Sequence, residues 1–184
     1  MLWIIWVLIV LAAIIVIMFI SYFNKFVVLG NRIDNSLAQI DVQLRKRADL
    51  VPNLMNTVKG YVKHEKEIFK QLTDARKAIM QAKDISTKVK AGNQMQAALK
   101  TIFAMAESTP ELKANQNFLQ LQQELSAIED KVAYSRQFYN DSTLDYNNSI
   151  QTFPGTFFAA IFRKKQREFL QIPEAMRAVP KISF

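Results

Sequence analysis

Cysteine is absent from this 184-residue chain. That excludes disulfides, thiol catalysis, zinc ribbons and iron–sulfur ligation, and with them the lipid-modified type of bacterial signal sequence. Histidine is reduced to one residue, His64. The zincin pattern HExxH needs a second histidine at position 68 to put both ligands on one helix face, and Ile68 stands there. A Ser–His–Asp arrangement would have to recruit the same His64, and no strained nucleophile turn of the GxSxG kind occurs. His64 therefore reads as a surface or capping residue. Glycine is scarce and scattered (Gly30, Gly60, Gly92, Gly155), so no loop can converge its backbone N–H groups on a phosphate. Only Pro52 and Pro110 precede residue 154, and alternating β-type runs are missing, which leaves a largely helical chain.

What the chain does contain is organised around its first apolar stretch, Leu2–Phe23. No charge interrupts it, and Lys25 is the first charged side chain. A bilayer core takes about 20 apolar residues in helical form, and a helix is the structure that satisfies its own backbone there. Trp3 and Trp6 near one end, and Tyr22 and Phe23 near the other, suit the two interfaces. A cleaved secretory signal would need a basic leading region, a shorter core and small residues before the cut. Here no Lys or Arg precedes the run, and Phe19, Ile20, Tyr22 and Phe23 are bulky. The expectation is a retained single-pass membrane anchor. Lys25 and Arg32, then Arg45, Lys46 and Arg47, follow it, favouring an outside N-terminus and a cytoplasmic body.

The formal net charge of +8 falls wholly on the body, as expected beside anionic headgroups. No nucleic-acid-binding motif accompanies it, so nucleic acid is not an expected partner. The body carries an apolar seam at steps of three and four: Ile33, Leu37, Ile40, Leu44, then Leu54, Val58, Tyr61, Ile68, Leu72, Ala75 and Ile79. Pro52 interrupts it in one of two ways. The helix runs through with a kink, a reading in which Arg47 and Val51 keep the seam in phase. Or a turn at Asp49–Val51 precedes a new helix opened by Pro52; four comparable up-and-down helices favour this turn. A break is expected at Asp84–Lys90, and a third helix carries Met95, Ala98, Leu99, Ile102 and Phe103. Ser108 or Thr109 can cap and Pro110 can open a long last helix. Phe118, Leu121, Leu125, Ile128, Val132, Ser135, Tyr139, Ser142 and Tyr146 line that helix up to Phe153-Pro154-Gly155.

The residues Asp41-Val42-Gln43-Leu44, Arg47 through Leu54, Val58-Lys59-Gly60-Tyr61 and His64-Glu65 resemble the bacterial LemA family. Leu112 through Asn115, Phe118, Leu121, Glu124-Leu125, Ile128-Glu129, Arg136, Tyr139-Asn140, Tyr146-Asn147, Phe153-Pro154 and the close from Arg177 to Phe184 continue the likeness over essentially the whole chain. Asp130-Lys131 departs from the Asn-Arg usual in that family, and a Gly-Phe pair frequent near residue 163 is missing. The resemblance implies an antiparallel, up-and-down four-helix bundle on an N-terminal membrane anchor, and it implies no reaction.

The expected division is an anchor at 1–24, a four-helix bundle at 25–155, and an apolar and basic segment with an extended tail at 156–184, all of it α. Two groups of residues stand out. Asp41, Arg45, Arg47, Asp49 and Asn53 cluster around Pro52, and Glu124, Glu129 and Arg136 lie on the last helix. They read as internal polar links, with a partner-docking surface as the rival. Phe157, Phe158 and Phe162, followed by Arg163, Lys164, Lys165 and Arg167, suit a membrane interface, with rings at the acyl boundary and cations on phosphates. The rival there is that the rings plug an open bundle end. No catalytic, metal or cofactor residue emerges. The expected role is a non-enzymatic membrane-anchored scaffold or adaptor with a membrane-protein partner or a second copy. The alternative is a lipid-interacting, membrane-remodelling or envelope-stress protein acting through 157–167.

Overall fold

The structure, a computed structural model, describes residues 2–61 and 66–170. His64 and the apolar tail residues Ile172, Pro173, Pro180, Ile182 and Phe184 lie outside the described residues. Six helices and no strand occur among those described: α1 (Leu2–Val58), α2 (Lys66–Gln81), α3 (Ile85–Glu107), α4 (Pro110–Lys113), α5 (Gln116–Gln151) and α6 (Gly155–Ile161). They contribute to two compact units, one of residues 2–36 with 137–169, the other of residues within 37–136 with Leu170.

α1 is continuous for 57 residues. Its first third is apolar on every side and none of the most apolar window is buried, with a mean hydropathy of 3.2. A helix of that kind has no polar face to offer water. It is long and apolar enough to cross a membrane.

The turn expected at Asp49–Val51 is not there. α1 passes through Pro52, and the chain turns only at Lys59–Tyr61, where Tyr61 N–H donates to the Val58 carbonyl. Two features carry the helix through. Leu44, Ala48, Val51, Leu54 and Val58 are all fully buried, so breaking the helix would have split one continuous stripe. Proline also removes the N–H that would bond the carbonyl four residues earlier, at Ala48. Arg76 of α2 donates its Nε to that carbonyl oxygen at 3.1 Å. The acceptor freed by Pro52 is thus satisfied from the neighbouring helix.

α3 begins earlier than its composition suggests. Asp84 accepts from Thr87 N–H at 2.7 Å, an N-cap that makes Ile85, Ser86 and Thr87 the first turn. Gly92 then lies inside α3, not in a break. A β-carbon there would come within 2.6 Å of Leu44 Cδ2, so this glycine lets α3 approach α1 closely. Thr109 takes the N-cap position of the following helix but without a side-chain cap bond; the hydroxyls of Ser108 and Thr109 both donate back to the Met105 carbonyl, at 2.7 and 3.1 Å. Pro110 opens only the single turn α4. The long helix starts afresh at Gln116, capped by Asn115, whose Oδ1 accepts from Phe118 N–H at 3.1 Å.

Buried side chains in the unit containing α2 and α3 include Ile40 and Leu44 of α1, Leu72 and Ile79 of α2, Met95 and Ile102 of α3, and Phe118, Leu125 and Val132 of α5. Phe103 and Phe118 meet edge to face at 6.1 Å. In the other unit the buried set is Phe26, Leu29 and Ile33 of α1, Tyr139, Tyr146 and Ile150 of α5, and Phe158 with Ala159 of α6.

Candidate functional site: a polar helix core and an aromatic clasp

The polar residues around Pro52 separate by helix face. Asp41 faces α3, where Lys88 Nζ reaches its Oδ1 at 2.6 Å, and Arg45 joins the same carboxylate at 3.2 Å. Arg47 is 2% exposed. Asp49 and Asn53 point to solvent, and the Asn53 carbonyl takes the Thr57 hydroxyl at 2.9 Å. The dense group in the sequence is therefore one inward link, one buried guanidinium and two outward side chains.

Arg47 is the least conventional of these. Burial pushes its guanidinium below the usual arginine range, and the Glu129 carboxylate pulls it back. Its Nε and Nη2 are buried without a hydrogen-bond partner. Arg136 is also driven down by burial and by the Arg47 charge, with Glu129 opposing. It donates from Nη2 to Asn93 Oδ1 at 2.8 Å. Glu129 accepts from Gln96 Nε2. The Glu129 carboxylate thus favours the charge on both guanidinium groups, and α3 supplies the neutral partners Gln96 and Asn93. Glu124 lies apart from them, on the surface, accepting from Gln120 one turn earlier at 3.0 Å. Lys88, Asn93 and Gln96 complete the network and were missed in the sequence. Their signal was positional: Lys88 and Gln96 are polar residues in the buried register of α3.

The second assembly lies in the unit of residues 2–36 and 137–169. α6 lays its rings on the end of the apolar run. Phe158 stacks on Tyr22, with centroids 4.8 Å apart and planes 12° from parallel. Phe162 meets Phe19 at 4.8 Å, Phe23 at 5.3 Å and Phe26 at 6.2 Å. These α1 residues recur at three- and four-residue steps, so they form one stripe. Gly155 starts α6 because a β-carbon there would run into the Ser149 carbonyl oxygen and press on Tyr22 Cε1. Phe157 and Ile161 face outward, 62% and 49% exposed.

α6 closes with paired bonds: Arg163 N–H to the Ala160 carbonyl at 3.2 Å, and Lys164 N–H to the Ala159 carbonyl at 2.9 Å. This is the Schellman pattern, whose first residue past the cap is left-handed and is usually glycine. Arg163 occupies that position with φ 51°, at a cost of about 1 kcal/mol for a residue with a β-carbon. The strand of chain that follows is tied to α5. Asn147 Nδ2 donates to the Arg167 carbonyl and its Oδ1 accepts from Arg167 N–H, both at 2.9 Å. The Tyr139 hydroxyl donates to the Glu168 carbonyl at 2.7 Å, and the Arg167 guanidinium lies 3.9 Å from Asp34. Burial raises the Tyr146 phenol above its ordinary value, with the Arg167 charge acting the other way.

The rings of 157–167 divide by face. Phe158 and Phe162 pack on α1, Phe157 meets Phe158 edge to face at 5.5 Å but is otherwise exposed, and Arg163, Lys165 and Arg167 are exposed while Lys164 is half-buried. Among the described residues no group of three His, Cys, Asp or Glu is arranged to hold a metal ion.

Comparison with known proteins agrees with the sequence pattern. The protein LemA of Metamycoplasma hominis is 26% identical over 124 residues, an alignment that covers 67% of this chain and 57% of that protein. The chain thus spans a little over half the length of that relative. A sequence model described as the LemA family matches residues 36–184, from beyond the apolar run to the last residue given. The chain belongs to the LemA family.

Proposed function

We propose that this chain is a non-enzymatic scaffold or adaptor, anchored in a bacterial inner membrane, that holds a helical body at the bilayer surface for a membrane-protein partner or a second copy. The observation that carries the reading is the unbroken α1, which joins the apolar span to the buried stripe of the body in one helix. A tethered enzyme tolerates a loose linker, whereas here the chain passes from the apolar run into the body without leaving the helix. In this reading residues 37–58, α2, α3 and α5 form an up-and-down four-helix bundle, antiparallel between neighbours. The polar side chains Asp41, Arg136 and Glu129 support the reading as internal links, since each is engaged within the protein.

The body belongs on the cytoplasmic side, where Lys25 and Arg32 follow the span. Crosslinking in living cells, followed by mass measurement of the complex in mild detergent, tests the proposal. A discrete adduct with a membrane protein or with a second copy is expected. A clean monomer that captures nothing overturns it, and vesicle leakage caused by the purified chain would favour membrane remodelling instead.

A further inference from the structure

We infer that α6 is a second membrane-contacting element, an interfacial helix that lies at the acyl–headgroup boundary beside the anchor and places Arg163 and Lys165 on anionic lipid phosphates. The inference rests on the reading of residues 2–23 as the membrane span.

Depth carries the argument. At about 1.5 Å per residue, α1 climbs roughly 26 Å from Leu2 to Phe19 and roughly 36 Å from Leu2 to Phe26. The hydrocarbon core is about 30 Å thick. The stripe that α6 grips, Phe19, Tyr22, Phe23 and Phe26, therefore straddles the boundary, and a helix packed on it shares that depth. Tilting α1 lowers both together. At this level the outward Phe157 and Ile161 meet acyl chains and glycerol rather than bulk water, which accounts for two large apolar side chains left uncovered.

Charge is arranged to match. Arg163 and Lys165 are exposed immediately after α6, and Lys25 Nζ lies 6.0 Å from the Tyr22 ring centroid, one turn from the same contacts. The left-handed backbone at Arg163 adds a separate observation. Glycine would occupy φ 51° without strain, so the arginine is held there against its own conformational preference. A cation directed at a phosphate explains that choice, and a purely structural cap does not.

The absence of cysteine makes the test direct. The full chain is reconstituted in phosphatidylcholine vesicles with and without phosphatidylglycerol, carrying one nitroxide on Phe157→Cys, Ile161→Cys or, for reference, Lys113→Cys. Oxygen and a water-soluble nickel complex report the surroundings. Labels at 157 and 161 are expected to be reached by oxygen and shielded from nickel, most fully with phosphatidylglycerol, while the label at 113 is open to nickel. On anionic vesicles Arg163→Gly or Lys165→Glu should each lower the ratio of immersed to aqueous label by about fivefold or more, with Arg163→Gly raising thermal stability. Labels at 157 and 161 that stay open to nickel on both vesicles overturn the proposal. So does immersion that neither the anionic lipid nor the two substitutions alters. Quenching of Trp3 and Trp6 by brominated lipid follows the anchor separately: quenched tryptophans with aqueous labels reject α6 alone, and unquenched tryptophans reject the anchor as well.

Discussion

At the scale of single residues, Arg47, Glu129 and Arg136 decide how a buried charge is tolerated. Removing a counter-charge from such a group is expensive, because the remaining cations keep their desolvation cost and lose their attraction. Glu129→Gln leaves the Arg47 and Arg136 charges without the carboxylate that favours them and should lower stability by about 2 kcal/mol, below the range for fully buried pairs because Glu129 is only half-buried. Arg47→Met removes the cation whose Nε and Nη2 lack partners and should leave stability within about 1 kcal/mol of the parent or raise it. Thermal unfolding in detergent, followed by circular dichroism, separates the two. Asp84 provides a pH-dependent counterpart. The Thr87 backbone N–H holds its carboxyl below the ordinary aspartate range, so its stabilisation is present above the unfolded-state pKa and disappears as pH falls through the folded one. Protection factors at the start of α3, with the intrinsic pH dependence of exchange divided out, should fall as pH drops below the ordinary aspartate range. Asp84→Asn should abolish that acid dependence while keeping most of the protection, since asparagine caps as well.

At the scale of elements, the coupling of α1 to α2 through Pro52 gives the sharpest expectation. Arg76→Ala strands the buried Ala48 carbonyl and should cost about 2 kcal/mol, the range for a hydrogen bond to a charged donor. Pro52→Ala restores a backbone donor to that carbonyl. In the Pro52→Ala background, Arg76→Ala should then cost much less, giving a coupling energy of about 1.5 kcal/mol in a double-mutant cycle. Additive effects would mean that the guanidinium bond and the missing N–H are unrelated. The same interaction explains why the expected turn at Asp49–Val51 does not form. A proline reads as a helix break when its freed carbonyl has only water to turn to. Here the donor comes from a residue 28 positions on, and no local pattern announces it. α3 is the opposite case: Asp84, three residues before Thr87, is a capping signal present in the sequence, outweighed in the reading by the poor helix propensity of Ile85-Ser86-Thr87.

At the scale of the whole molecule, the proposed orientation across a membrane is the property to measure. With the body cytoplasmic, a single cysteine introduced as Lys113→Cys should resist a membrane-impermeant maleimide in intact cells and react once they are permeabilised. Reaction in intact cells would place the body outside and reverse the sign read from Lys25 and Arg32. The sequence by itself determined the helical class, the long apolar run and the two stretches of seam on either side of Pro52, because hydrophobic run length and periodicity act over neighbouring residues. It also carried the family likeness, which runs through the ordered motifs of the body. Only the tertiary structure decided where α1 ends, which side chains surround the Glu129 carboxylate, and that Phe158 and Phe162 pack on residues 19–26 of α1. Each of those outcomes depends on a partner far along the chain: Arg76 for Pro52, Gln96 for Glu129, Tyr22 for Phe158. Such pairings are fixed by packing of whole helices, and the local sequence holds no record of them.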